Sequence, residues 1–128
     1  MLRPLRRGWS LAAPLALGIA LGACAGDNVP ATPVGARDDG TLEVVHRNYA
    51  FEPRSLVFQV GETVEFHLVS ADGPHTFTVE DLGIDWVVTR HPDPEVQTFT
   101  FEQGGTFRLV CEFPGHEGSG MVGTVEVR

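Results

Sequence analysis

The sequence predicts an all-β protein, a Greek-key β-sandwich of about six to eight short strands. Hydrophobic and polar residues alternate in several short segments, and turns rich in Gly or Pro separate these segments. The 15 Gly and 9 Pro among 128 residues also favour many turns over long helices. Since no segment keeps a 3.6-residue period over three turns, we expect strands throughout.

The first 23 residues are predicted to be a signal peptide. Three Arg precede an uncharged apolar run at 9–21, which is too short to cross ~30 Å of hydrocarbon as a helix. Leu21-Gly22-Ala23-Cys24 resembles the lipobox of bacterial lipoproteins, which implies cleavage before Cys24 and lipidation of its sulfur. The alternative is an ordinary signal peptide followed by a chance Cys. The lipobox predicts an extracytoplasmic protein held on a membrane by a lipid anchor.

The charge of the chain excludes one class of partner. Without residues 1–23 the chain has 17 acidic and six basic residues, a formal net charge of −11. Nucleic-acid binding needs a basic face to neutralise phosphates, so it is not expected. The acidity either favours a basic partner protein or simply keeps the domain soluble.

The remainder divides into a tether and one domain. Residues 24–40 contain three Gly, two Pro and no aromatic residue, which predicts a flexible tether. Residues 41–128 contain all eight Phe and are long enough for one core, so we expect a monomeric domain there.

Five segments of this domain alternate in the manner of strands. In chain order they are 56–60, 64–68, 99–101, 107–109 and 123–127. Gly61-Glu62 separates the first two, and the Gly pair at 104–105 precedes the fourth. Residues 80–96 are interpreted as a solvated loop, with an acidic docking patch as the alternative.

Four potential metal ligands stand near the ends of these segments. Cys111, His116 and Met121 are spaced five positions apart in a Gly-rich loop, and His75 begins a further apolar segment. His75, Cys111 and Met121 are each in phase with core-facing residues of their own strand, while His116 lies in the loop. One thiolate, two imidazoles and a weak axial thioether are typical of a mononuclear blue copper centre.

Other interpretations of these residues are weaker. A structural zinc site is possible, but zinc gains little from a thioether. A metalloprotease would place His-Glu-x-x-His on a helix, whereas His116-Glu117 continues into glycines. His46, His67 and His91 are not predicted to be ligands. His67 is expected to face solvent, and His91 lies in a Pro-rich loop.

Three longer segments resemble the cupredoxins, the plastocyanin-like family. They are YAFEPRSLVFQVGETV at 49–64, DGPHTF at 72–77, and CEFPGH at 111–116 with GMVG at 120–123. The last is similar to the ligand loops of rusticyanin and auracyanin. The resemblance implies one copper per chain, bound by His75, Cys111, His116 and Met121, and electron transfer rather than enzymatic activity.

The sequence departs from the family pattern at two positions near the first His. Thr76 stands where the family often has Asn or Ser to steady the Cys loop, and Ser70 stands where Asn is common. A related loop in cytochrome oxidase subunit II holds two coppers but needs a second Cys, and Gly115 occupies that position. These features leave the four-ligand prediction intact.

The predicted function is therefore a membrane-anchored carrier of single electrons between redox proteins, such as a cytochrome or a membrane oxidase or reductase. We expect the His75 imidazole to be the more enclosed of the two, and electrons to enter or leave through the exposed edge of His116. Phe113 and Val122 are expected to form an apolar rim for contact with a partner. The alternative is a copper-buffering or copper-delivery lipoprotein. Buffering sites typically use Met- and His-rich tracts, and this chain has two Met.

Overall fold

In the computed structural model, which describes residues 31–128, nine β-strands form two sheets. The strands are β1 Thr41–Arg47, β2 Ala50–Glu52, β3 Ser55–Phe58, β4 Thr63–Ser70, β5 His75–Val79, β6 Ile84–Val88, β7 Glu95–Thr100, β8 Gly105–Val110 and β9 Val122–Val127. One 3-10 turn, Glu80–Leu82, precedes β6. The all-β sandwich predicted from the alternating segments is confirmed, with more strands than the six to eight expected.

The two sheets are built from interleaved parts of the chain. One has the strand order β2-β1-β4-β7, and the other has the order β3-β9-β8-β5-β6. The β1–β4 and β3–β9 pairs are parallel, and the remaining pairs are antiparallel. Because the chain passes repeatedly from one sheet to the other, residues far apart in sequence become neighbours.

Aromatic rings fill the space between the sheets. Phe58 and Phe101 stack with ring centroids 4.3 Å apart, and Phe77 stacks on Trp86 at 5.5 Å. Inward residues alternate with exposed ones along β1 and β4, as expected for strands with one buried face. In β5 all five residues are buried, so this strand is covered on both faces.

The prediction of a loop at 80–96 is wrong for part of that segment, because residues 84–88 form a strand that completes the second sheet. Its strand β6 pairs antiparallel with β5, placing Trp86 opposite Phe77 and Val88 opposite His75. Trp86 also packs against Phe66 and Phe99. The segment therefore covers the edge of β5 and contributes to the core.

Part of the predicted tether is bonded to the sandwich. The Val34 amide donates to the Ser55 carbonyl at 2.9 Å, and the Val57 amide donates to the Val34 carbonyl at 3.1 Å. Ala36 packs against the core cluster. The boundary at residue 41 stays a prediction, as do the signal peptide and Cys24, which lie outside the described residues. Within 31–128 no helix has the length and apolar character needed to cross a membrane.

Candidate metal centre

Three neighbouring strands bring the predicted ligands to one end of the second sheet. β8 lies between β5 and β9 and is antiparallel to both, so its end lies beside their beginnings. His75 is the first residue of β5, Cys111 follows the last residue of β8, and Met121 precedes the first residue of β9. The order of the strands therefore brings His75 and Cys111 together, although they are far apart in the sequence.

The two imidazoles and the thiol face one another. Cys111 Sγ lies 3.4 Å from His116 Nδ1 and 3.9 Å from His75 Nδ1. One donor atom from each of these residues lies within 4.8 Å of the others, an arrangement that could hold a metal ion. Cys111 and His75 are fully buried, whereas His116 is partly exposed, in accord with the expected difference between the two histidines.

Met121 joins the same cluster through its backbone. Its amide donates to the His116 carbonyl at 3.0 Å, and its carbonyl accepts from the Cys111 amide at 3.2 Å. Its side chain is fully buried in the core cluster. These bonds hold the backbone of Met121, the candidate axial ligand, against both of the other candidate ligands in the loop.

Thr76 performs the steadying role expected of the residue after the first His. Its amide donates to Cys111 Sγ at 3.4 Å, and its hydroxyl oxygen accepts from the Glu112 amide at 2.9 Å. The Thr78 hydroxyl donates to the Thr76 hydroxyl at 2.9 Å. Thr76 therefore contacts the Cys loop through both its amide and its hydroxyl.

Ser70 is likewise built into the loop before His75. Its hydroxyl donates to the Gly73 carbonyl, and the Gly73 amide donates back to the hydroxyl oxygen at 3.3 Å. These two reciprocal hydrogen bonds stabilise the turn at 70–73, which leads into β5.

Asp72 is a contact that the sequence reasoning missed. Its Oδ1 accepts from His75 Nε2 at 3.0 Å, and its Oδ2 accepts from the Asn48 amide at 2.9 Å. The Asn48 amide, and then the His75 ring, hold the pKa of this carboxyl below its ordinary value. The available signal was an acidic residue three positions before a predicted ligand.

Two aromatic rings flank the exposed imidazole. The ring of Tyr49 lies edge-on to His116 with centroids 5.2 Å apart, and Phe113 lies 5.8 Å away. Tyr49 is 47% exposed, so its ring contributes to the surface over the site. Phe113 was anticipated from the loop sequence, but Tyr49 was not.

The other histidines do not belong to the group of His75, Cys111 and His116. His46 is nevertheless fully buried, with its ring 5.9 Å from that of His75. Its Nδ1 donates to the Val69 carbonyl at 3.2 Å, and burial lowers its pKa to about 4. Its phase along β1, shared with Leu42 and Val44, was the sequence signal for this burial. His67 is partly exposed beside Glu65, as predicted.

Comparison with known proteins gives a family and a fold. Residues 14–123 match the cupredoxin-like domain family. A search of curated protein sequences finds no match.

Solved structures share the architecture at low sequence identity. The Cu(I)-bound metal-binding domain of the copper exporter CopA from Streptococcus pneumoniae is 17% identical with a TM-score of 0.61, covering 77% of this chain and 97% of that domain. The periplasmic domain of cytochrome oxidase subunit II from Bradyrhizobium japonicum is 16% identical with a TM-score of 0.57, covering 72% and 86%. Auracyanin A, a "blue" copper protein of Chloroflexus aurantiacus, is 18% identical with a TM-score of 0.56, covering 76% and 100%. At these identities the likeness establishes the fold.

Proposed function

The chain belongs to the cupredoxin-like family, and from this premise we propose that it is a mononuclear copper protein that carries single electrons. The observation that carries the proposal is the convergence of His75, Cys111 and His116 within 4.8 Å. We assign these three residues and Met121 as the ligands. Auracyanin A, which shares the fold, is a "blue" copper protein.

The donor set favours copper over zinc. A thiolate, two imidazoles and a thioether are soft ligands that suit copper, whereas structural zinc sites use four strong ligands. A bound copper ion would supply one-electron chemistry by alternating between Cu(I) and Cu(II). The protein contributes a largely enclosed donor set, since the side chains of His75, Cys111 and Met121 have no solvent exposure and His116 is partly exposed.

The surface at His116 supports transfer rather than storage. The imidazole is partly exposed between Tyr49 and Phe113, so a partner can approach one ligand edge while the thiol stays buried. Small and partly apolar contacts suit brief electron-transfer encounters. We propose that electrons enter or leave through this edge, in exchange with another redox protein.

The absorption spectrum of the Cu(II)-loaded protein tests the function. We expect an intense visible thiolate-to-copper band that is lost in Cys111→Ser, because Ser provides no thiolate. Ser119→Ala, which alters a hydroxyl in the same loop, is the control and should keep the band. A colourless wild-type protein that holds only Cu(I) or zinc would instead favour the buffering or structural alternative.

We further propose that Cys24 is lipidated and holds the domain on the extracytoplasmic face of a membrane. The support is the lipobox-like sequence before Cys24 and the basic, apolar character of residues 1–23. Wild-type protein should partition with membranes after expression in a bacterial host, and Cys24→Ala should remain unprocessed. Lipid labelling that persists in Cys24→Ala would refute the anchor without affecting the copper assignment.

A further inference from the structure

One exposed carboxylate connects the two halves of the candidate metal centre. Asp72 lies in the loop between β4 and β5, and each of its oxygens accepts a different hydrogen bond. Oδ1 accepts from His75 Nε2 at 3.0 Å, and Oδ2 accepts from the Asn48 amide at 2.9 Å. Asn48 belongs to the turn between β1 and β2, so the carboxylate joins this turn of the first sheet to His75, which begins a strand of the second sheet.

The first bond selects the tautomer of His75. A neutral imidazole carries one N–H, and donation from Nε2 to Asp72 leaves Nδ1 with a free lone pair. That Nδ1 lies 3.9 Å from Cys111 Sγ, on the side where the donor atoms converge. Because His75 is fully buried while the Asp72 side chain is 37% exposed, Asp72 supplies an ionic acceptor that the enclosed ring could not obtain from solvent.

The second bond reaches the other histidine indirectly. The residue after Asn48 is Tyr49, whose ring lies edge-on to His116 at 5.2 Å. Tyr49 is 47% exposed, so packing around its own ring is incomplete. The Asn48–Asp72 bond therefore restrains the turn that presents Tyr49 to His116.

We infer that Asp72 is a positioning residue for both histidines, acting directly on the His75 ring and through the 48–49 turn on the His116 ring. This inference rests on the proposed copper site for its consequence, although the two bonds can be tested without metal. Removing an outer partner of a metal-bound His typically weakens metal binding by about 10–100-fold. Asp72→Ala should fall in that range.

Two further variants test separately the effect of Asp72 on His75 and its effect on His116. Asp72→Asn keeps an oxygen acceptor but loses the negative charge, so it should retain the His75 tautomer with a smaller loss of copper affinity. Tyr49→Ala should loosen His116 while leaving the His75 ring proton protected. Asp38→Asn is the charge-matched control. Asp38 lies before β1, whereas Asn48 lies after it, so the two residues are at opposite ends of this strand.

The experiment combines histidine-ring NMR of the metal-free chain with competition against a Cu(I) chelator. We expect a slowly exchanging His75 Nε2 proton in wild type that is lost in Asp72→Ala, together with a 10–100-fold loss of Cu(I) affinity. A wild-type His75 protonated on Nδ1, or an Asp72→Ala variant unchanged in both readouts, would overturn the inference. If Asp72→Ala does not fold, Asp72→Asn decides through its ring proton and affinity. A wild type with the bond but without a blue Cu(II) form would refute electron transfer and leave the role of Asp72 standing.

Discussion

Three groups approach the buried Cys111 sulfur, and a fourth is bonded to the Cys111 backbone. The two imidazole nitrogens and the Thr76 amide approach the sulfur directly, at distances between 3.4 and 3.9 Å. The Met121 backbone is bonded to the Cys111 amide. Because several separate contacts hold the donor atoms, their positions should change little when the charge of a bound metal ion changes. This property suits electron transfer.

The residue at the axial position, Met121, should set the reduction potential of the site without being required for copper binding. In Met121→Gln an amide oxygen replaces a thioether, and the harder oxygen favours Cu(II) over Cu(I). We expect a copper-binding protein that is still coloured and has a lower reduction potential, measured by redox titration of the visible band. Cys111→Ser provides the comparison, and equal loss of colour in both variants would contradict this ranking of the ligands.

The buried His46 should make stability depend on pH. Its pKa in the folded protein is lowered to about 4 from 6.5, so the unfolded chain binds more protons between these values. The free energy of unfolding should therefore be highest above pH 6.5 and fall by up to about 3 kcal/mol as the pH drops to 4. Urea titrations of the metal-free protein across this range measure the slope.

Two variants test whether His46 causes this pH dependence of stability. His46→Leu removes the buried titrating group and should flatten the stability curve between pH 6.5 and 4, whatever its effect on absolute stability. His91→Gln changes an exposed imidazole and should leave the slope as in wild type. The same slope in His46→Leu as in wild type would assign the effect to other groups.

At the level of elements, the site depends on how closely β9 approaches the chain before β3. The Thr124 amide donates to the Arg54 carbonyl at 2.9 Å, and β9 continues parallel to β3 from Ser55 onward. Gly123 lies at this approach, where an added Cβ would collide with the Arg54 backbone carbonyl. Position 123 therefore requires a residue without a side chain, two positions after Met121.

Gly123→Ala should destabilise the sandwich at this seam. The methyl group meets backbone rather than a flexible side chain, so the strands must separate, and we expect a loss of about 1–3 kcal/mol of unfolding free energy. Gly104→Ala is the matched control, because its nearest neighbours would be 3.6 Å away, an ordinary contact. Chemical denaturation compares the two, and equal stability would show that β9 can move away from Arg54 at little cost.

At the level of the whole molecule, a strong net negative charge is combined with accessible apolar side chains near the ligand loop. The chain beyond residue 23 has 17 acidic and six basic residues, while Tyr49, Phe113 and Val122 are accessible near the ligand loop. Charge raises the rate of encounter with an oppositely charged partner, and apolar contact then completes a short-lived complex.

This arrangement predicts two independent ways to slow electron transfer. Val122→Asp places a charge in the rim and should slow transfer to a basic cytochrome several-fold while leaving the visible spectrum nearly unchanged. Raising the salt concentration should slow the wild type as well, because it screens the attraction between the proteins. Stopped-flow rates measure both effects, with Val60→Asp as a control on an exposed Val far along the chain from the ligand loop. Rates unaffected by both changes would place the docking face elsewhere.

The alternation of the strands and the local spacing of the candidate ligands follow from the amino-acid sequence alone. Cys111, His116 and Met121 lie within one short loop, so their association needs no knowledge of distant pairing. The burial of Cys111 and Met121 followed from strand phase, because alternate residues of a strand face the same side.

The contacts between segments far apart in the sequence depend on the tertiary structure. Alternation assigns a residue to a face but does not identify the strand beside it, so the sequence could not show that β5 lies next to β8. It also could not show that Asp72 joins His75 to the turn carrying Tyr49, or that residues 84–88 complete the second sheet. These contacts depend on the order in which strands pack, which is set by the combined burial of both sheets rather than by any one segment.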